Sequence, residues 1–354
     1  MKIAAGADFQ PKPIAAASST PEQSFWLFSR RADFWFGCSG ASLGLLAAVL
    51  LIFFHGDREI DALDFVLSEF HLGATYDAII RRRLWRHRHN DVLLIPLAIL
   101  VLTYALSMSG QAILLTSITM YAAVWHRGRQ SLGVARFYQR AMGGPLSPAH
   151  DRLFRGAVYL PMLAATLAYS HLAPAEYDEK PYLALNLGSE ITSIVGLAAV
   201  LWVIAYIALT LRQSNGQVHP GERWIVLAHA VAFGSGYVLG ASNASFLLVL
   251  AVHHEVQYLY FTYAMARRTT TLQTVSKRDR AIKDVHSQFS RDDPLPLTEA
   301  KFAASFLLWP VIGFVGAMIG AWAEIGWLEP LGASGLYCHY WLDGRIWTRR
   351  SIHD

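Results

Sequence analysis

The sequence predicts an all-α protein, a polytopic membrane helix bundle of about ten segments. Of its 354 residues 54% are hydrophobic and only 16% are charged, against a charged share of roughly 25% in soluble domains. Several apolar runs approach the ~20 residues that cross a bilayer. The basic residues lie beside those runs, where the positive-inside rule explains them. The net charge of +4 therefore gives no reason to expect nucleic acid as a partner.

Eight segments read as clear spans: 33–54, 91–108, 110–126, 154–172, 188–211, 222–240, 243–266 and 302–327. Two more, 60–80 (IDALDFVLSEFHLGATYDAII) and 331–347 (LGASGLYCHYWLDGRIW), are polar and carry a histidine each. Residues 1–30 read as a flexible cytoplasmic tail, since MKIAAGADFQPKPIAAASSTPEQ has no charged start leading directly into an apolar core, as a signal peptide has. Residues 31–350 then form a single multi-pass domain. Cys38 and Cys338 both sit in apolar surroundings and imply no disulfide framework.

Charge sets the orientation. Arg30 and Arg31 precede the first span and place the N-terminus in the cytoplasm, as expected for a bacterial inner membrane protein. RRRLWRHRH at 81–89 is cytoplasmic only if segment 60–80 crosses back. Later loops alternate: HRGR at 126–129 inside, the acidic PAEYDEK at 174–180 outside, and RQSNGQVHPGER and RRTTTLQTVSKRDRAIK inside. TRR at 348–350 returns inside if 331–347 re-enters. Ten crossings satisfy every basic cluster; eight leave 81–89 outside.

This topology puts His71, His126, His253, His254 and His339 on segments running from outside to inside. His71 lies ten residues before Arg81 and His339 ten before Arg349, while His253 and His254 lie fourteen and thirteen before Arg267. At ~1.5 Å rise per residue these depths are comparable. His126 is shallower, next to Arg127, although SLGVARFY continues an apolar stripe past it. A single histidine in a membrane helix is as readily an interhelical hydrogen-bond partner; several at one depth point to a site. His229, between alanines 228 and 230, reaches the same layer and reads as packing beside the site. His55, His171, His219 and His286 fall at span ends or in loops, and His87 and His89 belong to a basic cluster.

Helical spacing groups the polar residues. Asp64, Ser68, His71 and Thr75 form one stripe, and His339 and Asp343 stand one turn apart. His254, Gln257 and Tyr258 share a face, as do Thr119, His126 and Gln130. Adjacent helical residues point about 100° apart, so His253 and His254 cannot aim along one line at a single atom. The expected metal ligands are His71, His126, His253, His254, His339 and Asp343. Asp64, His229, Glu255, Gln257 and Tyr258 are expected to orient them. Imidazole with carboxylate suits iron, zinc, copper or manganese, and open positions on such sets are typical of non-haem iron oxygenases.

The paired HxxxH and HxxHH clusters of membrane desaturases and hydroxylases are missing, although histidines near the inner face are a similar plan. SEFHLGATYD at 68–77 resembles a histidine-bearing helix of the bacterial carotene-cleaving membrane dioxygenases over ten residues, a stretch too short to establish the family. The function expected first is a membrane metal-dependent oxidoreductase (oxygenase, hydroxylase or desaturase-like) with non-haem iron and a lipophilic substrate. A haem-binding electron carrier, another transition metal, and a transporter with a His/Asp/Glu proton pathway are the alternatives. There is no GxGxxG or GxxxxGK[ST] loop, so electrons are expected from a separate reductase docking near 81–89 and 267–283.

Overall fold

A computed structural model of the chain describes residues 26–27, 29–38, 40–54, 57–81, 84–142, 144–173, 176–177, 180–212, 218–279 and 329–346. The predicted span 302–327 lies outside the described residues, as do the side chains at 54, 57–66, 69, 81, 85, 87, 141, 265–279, 329, 331–333 and 345–346. Helix dominates. The long helices are α1 (Gly40–Phe54), α2 (Asp57–Arg81), α3 (Ile95–Met108), α4 (Ala112–Ala141), α5 (Pro148–Leu172), α6 (Ser189–Arg212), α7 (Pro220–Phe233), α8 (Leu247–Asp279) and α9 (Glu329–Ile346). Among the described residues the sheet is confined to one antiparallel pair, β1 (Glu176–Tyr177) with β2 (Lys180–Pro181), in the acidic loop.

Local chemistry sets several helix ends. Ser147 caps α5, its hydroxyl accepting from the His150 N–H at 3.1 Å, with Pro148 filling the first-turn position that needs no donor. His219 caps α7 in the same way, its Nδ1 accepting from the Gly221 N–H at 2.9 Å. Burial between aromatic rings pushes the His219 imidazole down to about 4, which keeps it neutral and able to accept that bond. Gly110, at φ +72°, makes the left-handed turn between α3 and α4. Helix α4 runs 30 residues, about 45 Å, so the predicted segment 110–126 ends midway along a continuous helix.

Among the described residues two helices are long and apolar enough to cross a membrane: Asn90–Met108, which is α3 with a leading π-helical turn, and α6. The helical turns Arg30–Cys38 and the helix Gly40–Phe53, bent by 57°, would together make a third. Leu97 and Val101 on α3, Leu93 in the turn that leads into it, and Ile194, Leu197 and Ile204 on α6 are exposed, as lipid-facing residues of such helices would be. The other predicted crossings that fall on described residues do not qualify on length and hydropathy, for physical reasons. Helix α2 is long enough at 25 residues but carries acids and arginines, and α7 has only 14 residues before its backbone turns π-helical over Gly234–Leu239.

Packing then brings the polar helices together. A methyl group on Gly40 would sit 3.0 Å from the Cα of His253, and one on Gly44 2.8 Å from the Cα of Val249. The GASLG stretch therefore lets α1 lie directly on the backbone of α8, the small-residue packing common between membrane helices. A buried cluster of Tyr138, Phe154, Val158, Tyr206 and Ile225 joins α4, α5, α6 and α7. Asp33, fully buried, accepts from the Leu27 N–H and the Tyr138 hydroxyl, both at 2.7 Å, and from the Tyr260 hydroxyl. It ties the N-terminal turns to α4 and α8.

Candidate metal centre

Four helices meet at one buried point. His71 comes from α2, His126 from α4, His254 from α8 and His339 from α9, and one ligand nitrogen of each lies within 4.8 Å of the others. Three of the ring pairs pack edge to face, with centroids 4.4 Å apart for His71 and His339 and 4.9 Å for His126 with either His254 or His339, while His71 and His254 are tilted at 48° with centroids 4.5 Å apart. Nε2 of His71 and Nε2 of His339 are 2.7 Å apart.

Asp343, one turn after His339 on α9, closes one side. Its Oδ1 accepts from the Thr75 hydroxyl at 2.8 Å and the Tyr258 hydroxyl at 2.6 Å. Its Oδ2 lies 3.7 Å from Nε2 of both His126 and His339, beyond hydrogen-bond range but facing the histidine nitrogens. Tyr340 stacks on His126 with centroids 4.5 Å apart, and Tyr258 packs against His71 at 4.1 Å.

The fit to a cation can be tested on the nitrogens themselves. Nε2 of His126 and Nδ1 of His254 are buried and make no hydrogen bond with the described residues. Buried polar atoms nearly always have a partner, and two such atoms on rings that converge with Nε2 of His71 and of His339 match a shared ion. The four histidines could hold a metal ion, with Asp343 Oδ2 beside them. Cys338 donates its S–H to the Pro96 carbonyl at 3.7 Å, so its sulfur is engaged with the first turn of α3.

The other predicted site residues are distributed around this point. His253 does not join the four; its Nε2 lies 3.5 Å from Ser131 Oγ on α4. His229 donates Nε2–H to the Val158 carbonyl at 3.0 Å, a bond between α7 and α5. Glu255 faces α2, its Oε1 accepting from the Ser68 hydroxyl at 2.7 Å. Gln257 donates to the Gly37 carbonyl at 3.0 Å and accepts from Gln130 at 3.3 Å, while Gln130 also donates to the His254 carbonyl at 2.7 Å. Gln257 and Gln130 thus hold the α8 backbone at His254. Asp64 is on α2, but its side chain is outside the described residues.

Three features were not picked out from sequence. Thr75 stood in the α2 stripe, but nothing there singled out its hydroxyl. Tyr340 adjoins His339 in sequence yet stacks on His126 of another helix. The Gly-x-x-x-Gly spacing of Gly40 and Gly44 was the available signal for the α1–α8 contact beneath His253 and His254. Comparison of the chain with known protein families, curated proteins and solved structures finds no match in any of the three.

Proposed function

We propose that the chain is an integral-membrane, metal-dependent oxidoreductase that holds non-haem iron and acts on a lipophilic substrate. The observation that carries this reading is the convergence of four imidazoles from four helices beside one carboxylate, at a buried point. Iron on nitrogen and carboxylate ligands supplies oxidation chemistry at positions the protein leaves open. The chain's own contribution is to hold His71, His126, His254 and His339 in fixed orientation, to keep Asp343 aimed at them, and to exclude water. A substrate that reaches a site buried among apolar helices is expected to be lipophilic.

The proposal includes the topology: about ten membrane segments, a cytoplasmic N-terminus, a bacterial inner membrane and a separate reductase at the cytoplasmic face. Its support is the alternation of basic and acidic loops and the entry of the polar helices α2 and α9 into the bundle. Haem is disfavoured by the same geometry. Axial histidines must stand on opposite faces of a macrocycle, whereas here four rings pack against one another and fill that space.

Metal analysis with a visible spectrum on detergent-purified protein tests the reading. About one iron per chain without a Soret band is the expected result. A Soret band would replace it with the haem carrier, and metal-free protein that cannot be loaded would replace it with the proton pathway.

A further inference from the structure

We infer that Thr75 is a positioning residue that fixes the tautomer of His339, so that Nε2 of that ring is the atom offered to the metal. The inference rests on the metal-centre reading and assigns a role to a residue outside its ligand set. Thr75 Oγ1 is buried at the crossing of α2, α8 and α9. It lies 2.8 Å from Asp343 Oδ1, 2.8 Å from the Tyr258 hydroxyl and 2.9 Å from His339 Nδ1.

The count of protons decides the directions. As a carboxylate Asp343 has only acceptors, so its contacts with Tyr258 at 2.6 Å and Thr75 at 2.8 Å both require the hydroxyls to donate. The single hydrogens of Thr75 and of Tyr258 are then both committed to Asp343, and the 2.8 Å contact between the two hydroxyls holds no hydrogen but follows from their sharing Oδ1. The contact of Thr75 with His339 can be a hydrogen bond only if Nδ1 carries the proton and donates to Oγ1. A neutral imidazole has one such proton, so Nε2 of His339 is left with its lone pair. That is the nitrogen 2.7 Å from His71 and 3.7 Å from Asp343 Oδ2. One hydroxyl therefore couples the carboxylate to the histidine on the same helix and fastens both to α2.

The alternative arrangement fails on the same count. If Thr75 donated to His339 instead, Asp343 Oδ1 would lose a donor at 2.8 Å, and the ring proton would move to Nε2, which could not then bind a cation. Metal-ligating histidines commonly have their other nitrogen held by an oxygen, and loss of such a partner typically costs ~10–100-fold in metal affinity or activity.

The test compares Thr75→Val, which keeps the shape without the hydroxyl, with Thr75→Ser, which keeps the hydroxyl. Cobalt(II) is the probe, because its ligand-field spectrum reports the geometry around the ion. Thr75→Val should bind cobalt ~10–100-fold more weakly with an altered spectrum, and Thr75→Ser should restore both. Wild-type affinity and spectrum in Thr75→Val would overturn the inference while leaving the metal centre standing. Failure of wild-type protein to bind cobalt, zinc or iron would instead remove the centre itself. Should Thr75→Val not fold, nitrogen NMR on histidine-labelled wild-type protein loaded with zinc decides the matter. His339, assigned by comparison with His339→Gln, should carry its proton on Nδ1 and the metal on Nε2; the reverse would overturn the inference.

Discussion

Nε2 of His71 and Nε2 of His339 stand 2.7 Å apart, joining α2 to α9. One hydrogen between two neutral rings accounts for that distance. Two nitrogens bound to one ion at ~2.1 Å each would be wider apart, about 3.0–3.4 Å for octahedral to tetrahedral angles. Metal loading is therefore expected to replace this hydrogen bond and open the pair by several tenths of an ångström. X-ray absorption on loaded protein should give a nitrogen-rich shell near ~2.1 Å. His71→Ala and His339→Ala should each lose more than the ~10–100-fold in affinity typical of orienting residues. Full metal occupancy in both variants would leave the pair as an interhelical hydrogen bond.

Neighbours on one helix separate cleanly here. His254 belongs to the group of four, while His253 is turned towards Ser131, 3.5 Å away, as the ~100° step between adjacent helical residues requires. His254→Ala is expected to empty the site and His253→Ala to retain most of the metal. Metal per chain, measured on monodisperse protein, checks this. Equal loss in the two would mean that His253 supports the site more directly than its orientation implies.

The contact of α1 with α8 should be sensitive to a single methyl. Alanine at Gly44 would place carbon 2.8 Å from the Val249 Cα, and alanine at Gly40 would place it 3.0 Å from the His253 Cα. Both neighbours are backbone and cannot rotate away, so α8 must shift and take His254 with it. Gly44→Ala is expected to lower the melting temperature and the metal content together. Gly133→Ala is the control: a methyl there meets nothing within 4 Å, and alanine in a helix gains roughly 0.5–1 kcal/mol over glycine. Loss in the control but not in Gly44→Ala would contradict the packing argument.

Topology has its own test. With ten segments, positions 81–89 face the cytoplasm because α2 has carried the chain back across the membrane. Single cysteines placed there should react with a membrane-impermeant reagent only after the inner face is opened. Labelling from the outer side would break the shared depth of His71 and His339.

Much of this was legible in the sequence because helix periodicity is local. The spacing of His71 with Thr75, of His254 with Tyr258 and of His339 with Asp343 places each pair on one face whatever the tertiary fold. The rotation of each helix about its axis was not legible. It depends on which neighbour presents glycine, as α1 does to α8 at Gly40 and Gly44, and that decides why His254 faces the four-histidine point and His253 does not. The hydrogen bond of Thr75 to Asp343 spans 268 positions of sequence, beyond anything spacing can reveal. Hydropathy was informative for α3 and α6, which carry no site residue, and less so for α2, whose polar side chains dilute its apolar signal.

Another buried carboxylate, Glu222, separates structural from functional polarity. Glu222 at the start of α7 is 1% exposed. Its Oε1 accepts from the Tyr206 hydroxyl at 2.8 Å and Gln139 Nε2 at 3.2 Å, and His150 Nε2 lies 3.3 Å away. These partners come from α6, α4 and α5, so Glu222 holds four helices at one corner while contributing nothing to the four-histidine group. Glu222→Ala strands the Tyr206 hydroxyl and the Gln139 amide in a buried site, at about 1–3 kcal/mol for each unsatisfied group. The expected outcome is a marked fall in melting temperature with metal per folded chain unchanged. Glu222→Gln keeps an acceptor for Tyr206 and should recover part of the stability. If Glu222→Ala folded normally but lost metal, the two buried networks would be one functional unit, and a proton route from the α7 end to the histidines would become the better reading.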